Sequence, residues 1–181
     1  MLSSLGRGGR GRVYLARAEE RTAGLEPGTQ VALKVIHPHL LATPDCFKRF
    51  LLEGKLGQRV RHANVVSTYD CNAVRTGETD HHYLVMEHVQ GQTLRTILEE
   101  LGTVPEELCR HLGRQIASGL CAIHEAGAVH RDLKPENVLV TAEHGVKIMD
   151  LGVARLLGDP LRLSRTGHFV GTAFMPVAAY V

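Results

Sequence analysis

Apolar residues follow two different patterns along the chain. In the first half they come in short aliphatic or β-branched runs: Arg12 to Ala18, Val31 to Ile36, Val65 to Tyr69 and Tyr83 to Glu87. Each run is bounded by Gly, Pro or polar residues, and such runs predict strands. Between the second and third, Phe47, Phe50, Leu51 and Val60 share one face of a helix from about Asp45 to Arg61, with Thr43 and Pro44 at its start. Gly54 and Gly57 lie inside that helix, each costing about 1 kcal/mol relative to alanine, so it is expected to be weak. In the second half the period lengthens. Thr93 caps a helix carrying Leu94, Ile97, Leu98 and Leu101, which Gly102 stops. A longer one, from about Pro105 to Ala126, places Leu108, Leu112, Ile116, Leu120 and Ile123 at spacings of three and four. Short strands follow at Val138 to Val140 and Val146 to Met149. A strand-rich part over 1–90 and a helical part over 91–181, joined near Gln90-Gly91, predict an α+β bilobal fold.

Composition narrows the function classes. The 181 residues suit one domain, or two small lobes around a cleft. A net charge of +2 is too mild to imply nucleic acid or an anionic membrane as partner. No run approaches the roughly 20 apolar residues of a membrane span, and Met1 to Arg7 does not read as a signal peptide, so a cytoplasmic location is expected. Cys46, Cys71, Cys109 and Cys121 form no C-x-x-C pair and read as thiols of a reducing compartment. The histidines are scattered without the spacing of a zinc or iron site, and His81 and His82 point opposite ways if they lie on a strand.

Four segments carry chemistry. Gly6-Arg7-Gly8-Gly9-Arg10-Gly11-Arg12-Val13 fits G-x-G-x-x-G-x-V, where missing Cβ atoms let main-chain N–H groups approach phosphate oxygens. A plain glycine-rich turn is the competing reading. A strand follows these glycines, not the helix of a dinucleotide-binding fingerprint, and no G-x-x-x-x-G-K-[ST] run occurs. Val31-Ala32-Leu33-Lys34 puts a lysine in an apolar strand, either snorkelling or paired with an acid, for which Glu53 is the candidate. His130-Arg131-Asp132-Leu133-Lys134-Pro135-Glu136-Asn137 combines a carboxylate able to take a hydroxyl proton and an amide able to ligate a metal. Its lysine can balance phosphoryl charge. Asp150-Leu151-Gly152, just after a strand, offers a further oxygen ligand of the kind Mg²⁺ prefers.

Together these segments resemble the protein kinase superfamily, from Gly6 to about Thr172 and in the family's order. The His62-Ala63-Asn64-Val65-Val66 run is similar to the segment that follows the family's glutamate helix. The resemblance implies that Gly6, Gly8 and Gly11 cover the phosphates and that Lys34 holds the α- and β-phosphates while pairing with Glu53. It implies Asp132 as base, with Lys134 beside it, and Asn137 and Asp150 as Mg²⁺ ligands. Val13, Ala32 and Leu139 would sandwich adenine, with Met86 as gatekeeper and Glu87 to Val89 as hinge. ATP and Mg²⁺ are the implied cofactors. The Lys134 pattern resembles serine/threonine kinases, bacterial ones in particular, and implies a protein substrate bearing a serine or threonine hydroxyl. Arg131 before the base resembles kinases switched by phosphorylation, with Ser164 and Thr166 as candidate sites.

Three departures stand out. Leu151 replaces phenylalanine, Gly57 replaces an apolar residue four after the glutamate, and Gly171-Thr172-Ala173-Phe174-Met175-Pro176 begins a motif that is not completed. From the last, an incomplete helical lobe is expected, with part of the Leu108–Ile123 stripe bare and inviting a partner. A kinase fragment acting only as an ATP-binding or interaction module is the competing function.

Overall fold

The computed structural model describes residues 2–41, 44–151 and 155–156. A five-stranded antiparallel sheet forms the first half, in the order β1-β2-β3-β5-β4. Its strands are β1 (Ser3–Gly8), β2 (Gly11–Arg17), β3 (Gln30–Ile36), β4 (Thr68–Thr76) and β5 (Thr79–Glu87). A short turn of helix, α1 (Pro38–Leu41), and the longer α2 (Pro44–Arg59) lie between β3 and β4. The even-numbered residues of β3 face α2 and include the buried Ala32, Lys34 and Ile36. On the opposite face Tyr14, Val31, Leu33, Tyr83 and Val85 line an open groove of about 660 Å³. His81 lines this groove, whereas His82 packs edge-on against Phe47 and Phe50 of α2. The two histidines therefore point to opposite faces.

The two helix glycines explain how α2 sits. A Cβ at Gly54 would meet Cys71 Sγ at 2.7 Å, and one at Gly57 would meet Thr68 Oγ1 at 2.1 Å. Both are contact points with β4. The intrinsic cost of glycine is offset by close packing that a larger residue would prevent.

The strand expected over Val65 to Tyr69 is shifted. β4 begins only at Thr68, because Val65 and Val66 spend their backbone on the other half of the molecule. Val66 N donates to Ile148 O at 2.9 Å and Ile148 N donates to Asn64 O at 2.8 Å. At its far end the β4–β5 hairpin runs on to Gly77, through exposed, mostly polar residues that carry no apolar alternation.

In the second half, β6 (Gly91–Thr93) leads into α3 (Leu94–Leu101), followed by α4 (Glu106–Glu125). Thr93 Oγ1 accepts from Thr96 N at 3.2 Å, and Gly102, at φ 65°, donates its N–H to Leu98 O. These are the caps the sequence predicts. Next come β7 (Ala128–Val129), a 3-10 turn at Pro135–Asn137, β8 (Val138–Thr141), β9 (Val146–Ile148) and β10 (Arg155–Leu156), with β6, β8 and β9 in one sheet and β7 paired with β10. Leu112 and Ile123 of α4 are buried, and Leu108, Ile116 and Leu120 pack half-buried against the core. The bare stripe expected on this helix is thus not found. Leu151 is buried with Leu56 of α2, Val60 just after it and Ile148 of β9, so one apolar cluster spans both halves. No helix among the described residues is long and apolar enough to cross a membrane.

Candidate active site

Strand β3 delivers Lys34 between Val13 of β2 and Leu84 of β5, its direct cross-strand neighbours. The ammonium lies 2.5 Å from Glu53 Oε1 on α2 and 3.3 Å from Asp150 Oδ1. With 11% of its side chain exposed, Lys34 is paired, not snorkelling. Burial alone would lower its pKa, but the carboxylates of Glu53 and Asp150 outweigh it and raise the pKa above the ordinary lysine value.

The glycine-rich hairpin lies between β1 and β2, with Gly6 opposite Val13 and Gly8 opposite Gly11. Its glycines have different causes. A Cβ at Gly11 would meet Val35 O at 2.2 Å, so the sheet itself requires glycine there. A Cβ at Gly6, Gly8 or Gly9 would meet nothing within 4 Å. Packing within the chain gives no reason for those three.

The segment from His130 to Asn137 is held by its own side chains. Asn137 Nδ2 donates to Asp132 O at 2.7 Å and to Asp132 Oδ2 at 3.2 Å. Lys134 Nζ lies 3.2 Å from the same Oδ2. Asp132 and Asn137 are both buried. With Nδ2 so engaged, the Asn137 amide oxygen is the atom left to meet a cation. Arg131 (φ 67°) and Asp150 (φ 62°) adopt the left-handed region, which costs a non-glycine residue about 1–3 kcal/mol and concentrates at functional sites.

Met149, between β9 and Asp150, fastens the two loops together. His130 Nε2 donates to Met149 O at 3.1 Å, and Met149 N donates to Asn137 O at 2.9 Å. Asp132 N donates in turn to His130 Nδ1 at 3.3 Å. An imidazole that donates at Nε2 and accepts at Nδ1 is neutral. Burial lowers the His130 pKa below its ordinary value, against the opposing Met149 bond.

Residues named for adenine lie on the strands around this cluster and, for Val89, in the segment that follows β5. Ala32 is buried opposite Met86, and Val13, Leu139 and Val89 are half-buried. The Glu87 side chain is engaged elsewhere. Lys147 Nζ lies 2.6 Å from Glu87 Oε1, and Ser67 N donates to Oε2 at 3.2 Å. Neither that tie, nor Met149, nor the Arg10–Asp150 pair at 3.4 Å was read from the sequence. For Arg10 a signal existed, a basic residue at the tip of a glycine-rich turn. Gly152, Ser164, Thr166 and Thr172 lie outside the described residues.

The sequence model for the protein kinase domain matches residues 1–176. The chain is 33% identical over 169 residues to serine/threonine-protein kinase PknB of Mycobacterium leprae, covering 93% of this chain and 26% of that protein. To serine/threonine-protein kinases PknA of Corynebacterium glutamicum it is 37% identical over 171 residues, 93% of this chain and 35% of that protein. To serine/threonine-protein kinase PkaA of Streptomyces coelicolor it is 41% identical over 177 residues, covering 93% and 32%. The chain therefore spans about a third or less of the length of these relatives.

Proposed function

This chain belongs to the protein kinase family, and on that premise we propose that it is a serine/threonine protein kinase moving the γ-phosphate of Mg-ATP to a protein hydroxyl. One observation carries the reading. Lys34 and Asp150, 116 residues apart in sequence, meet at 3.3 Å while Lys34 is held from behind by buried Glu53. A lysine fixed between two carboxylates, beneath a hairpin whose Gly6, Gly8 and Gly9 face open space, fits a site for a metal-bound triphosphate.

In this reading Lys34 binds the α- and β-phosphates, and Glu53 fixes its position. Backbone N–H groups of the Gly6–Gly11 hairpin cover the phosphates. Val13, Ala32, Met86 and Leu139 face the adenine, whose edge meets the backbone of Glu87 to Val89. The Asn137 amide oxygen and the Asp150 carboxylate form an all-oxygen donor pair that fits Mg²⁺, which supplies charge neutralisation at the phosphates when bound. Asp132 orients the substrate hydroxyl and accepts its proton. That hydroxyl oxygen bonds to the γ-phosphorus as the bond to the β–γ bridging oxygen breaks and ADP departs. Lys134, beside Asp132, balances charge on the moving phosphoryl group.

The test is transfer of labelled γ-phosphate from Mg-ATP to a serine- and threonine-rich carrier protein. Label on serine or threonine is expected. Asp132→Asn is expected to abolish turnover while leaving nucleotide affinity near wild type. Unchanged turnover in that variant would remove the base assignment.

A further inference from the structure

The glycine-rich hairpin carries one side chain whose role its glycines do not explain. Gly9 and Arg10 form its two-residue turn, beyond the Gly8–Gly11 pair, and Arg10 Nη1 lies 3.4 Å from Asp150 Oδ1. Lys34 Nζ reaches the same oxygen at 3.3 Å. The two cations differ in how firmly they are held. Lys34 is buried and paired with Glu53, whereas Arg10 stands on the turn with 42% of its side chain exposed. Its main chain is fastened at the carbonyl, which accepts from His37 N at 3.3 Å. A Cβ at Gly6, Gly8 or Gly9 would meet nothing within 4 Å, so no side-chain packing surrounds the tip.

We propose that Arg10 competes with the divalent cation for the Asp150 carboxylate and, once displaced, turns its guanidinium to the triphosphate under the same hairpin. The inference rests on the kinase reading of Asp150 and adds a residue to it. A carboxylate oxygen already facing two positive groups attracts a divalent cation less strongly, because the like charges repel at short range. An exposed arginine holds a carboxylate only weakly, so it gives way. A guanidinium presents a planar fork of donors that matches phosphate oxygens in pairs, which an ammonium does not. Arg10 therefore raises the cation concentration needed to load the site and rewards a ligand with more phosphate oxygens.

Calorimetric titration of the 181-residue chain with ATP and with ADP, over a series of Mg²⁺ concentrations, tests this. Arg10→Met is expected to lower the Mg²⁺ concentration for half-maximal ATP binding about two- to fivefold, the range an exposed ion pair commands. It should also narrow the preference for ATP over ADP. Arg10→Lys keeps the charge without the fork, so it should retain the Mg²⁺ requirement and lose part of the ATP preference. Both effects should shrink in high salt. If Arg10→Met binds nucleotide with the wild-type Mg²⁺ requirement and the wild-type ATP preference, the inference is overturned and the kinase reading stands. If the wild-type chain binds neither nucleotide at any Mg²⁺ concentration, both are overturned.

Discussion

Lys34 and His130 are both buried and titratable, and their surroundings set them in opposite charge states. Lys34 stays charged because two carboxylates meet it, and removing a partner leaves a charge with reduced compensation. Lys34→Met, Glu53→Gln and the double variant, compared by urea denaturation, should therefore show a coupling energy of about 1–3 kcal/mol. Strictly additive losses would mean the pair does not act as a unit. His130 is neutral, with both ring nitrogens committed. Its pKa is depressed below the ordinary 6.5, so the unfolded chain binds the proton more readily than the folded one. Stability from this group is present above pH 6.5 and declines as pH falls toward the folded value. Unfolding midpoints measured from pH 7.5 down to 5 should fall less steeply in His130→Asn than in wild type. Equal slopes would remove His130 as the source. At this scale the sequence was informative about identity and silent about attachment. The run from His130 to Asn137 named the groups that cluster, but the bonds through Met149 depend on a backbone fold that no spacing encodes.

Gly57 of α2 and Gly113 of α4 differ in what surrounds them. Gly57 touches Thr68, so Gly57→Ala brings an overpacking cost of about 1–3 kcal/mol that exceeds the roughly 1 kcal/mol gained in propensity. Gly113 of α4 is exposed, and a Cβ there would meet nothing within 4 Å. Gly113→Ala should stabilise by about 0.4–1 kcal/mol. Thermal melts of the two variants should move in opposite directions, and a shared sign would contradict the packing role of Gly57. Elements with strong local signals were legible in advance. Thr93 and Gly102 bound α3 because capping chemistry is local. Strand β1 and the tip of the β4–β5 hairpin were not legible, since their residues are exposed on both faces and their ladders form only through partners distant in sequence.

The two halves of the molecule are joined by more than the chain at Gln90. Leu151 and Ile148 share a core cluster with Leu56 and Val60, the Lys147–Glu87 pair ties β9 to the end of β5, and Asn64 Nδ2 donates to Val146 O at 3.0 Å and to Gln115 Oε1 at 3.1 Å. Strand β9 supplies Val146, Lys147 and Ile148 to this seam. A bilobal fold was visible in the order of strands and helices, but this seam was not, because its members are scattered over four elements and the loops between them. Met149, just beyond that strand, has both its main-chain N–H and its C=O bonded, to Asn137 and to His130 respectively. Its amide hydrogen can reach solvent only when the His130–Asn137 segment and the Asp150 turn part company. In deuterated buffer that hydrogen should exchange on the timescale of whole-chain unfolding, while Gly9 and Arg10 at the hairpin tip exchange early. Fast exchange at Met149 would mean that the two loops open independently. Slow exchange there would make one amide a clock for the cohesion of the entire centre.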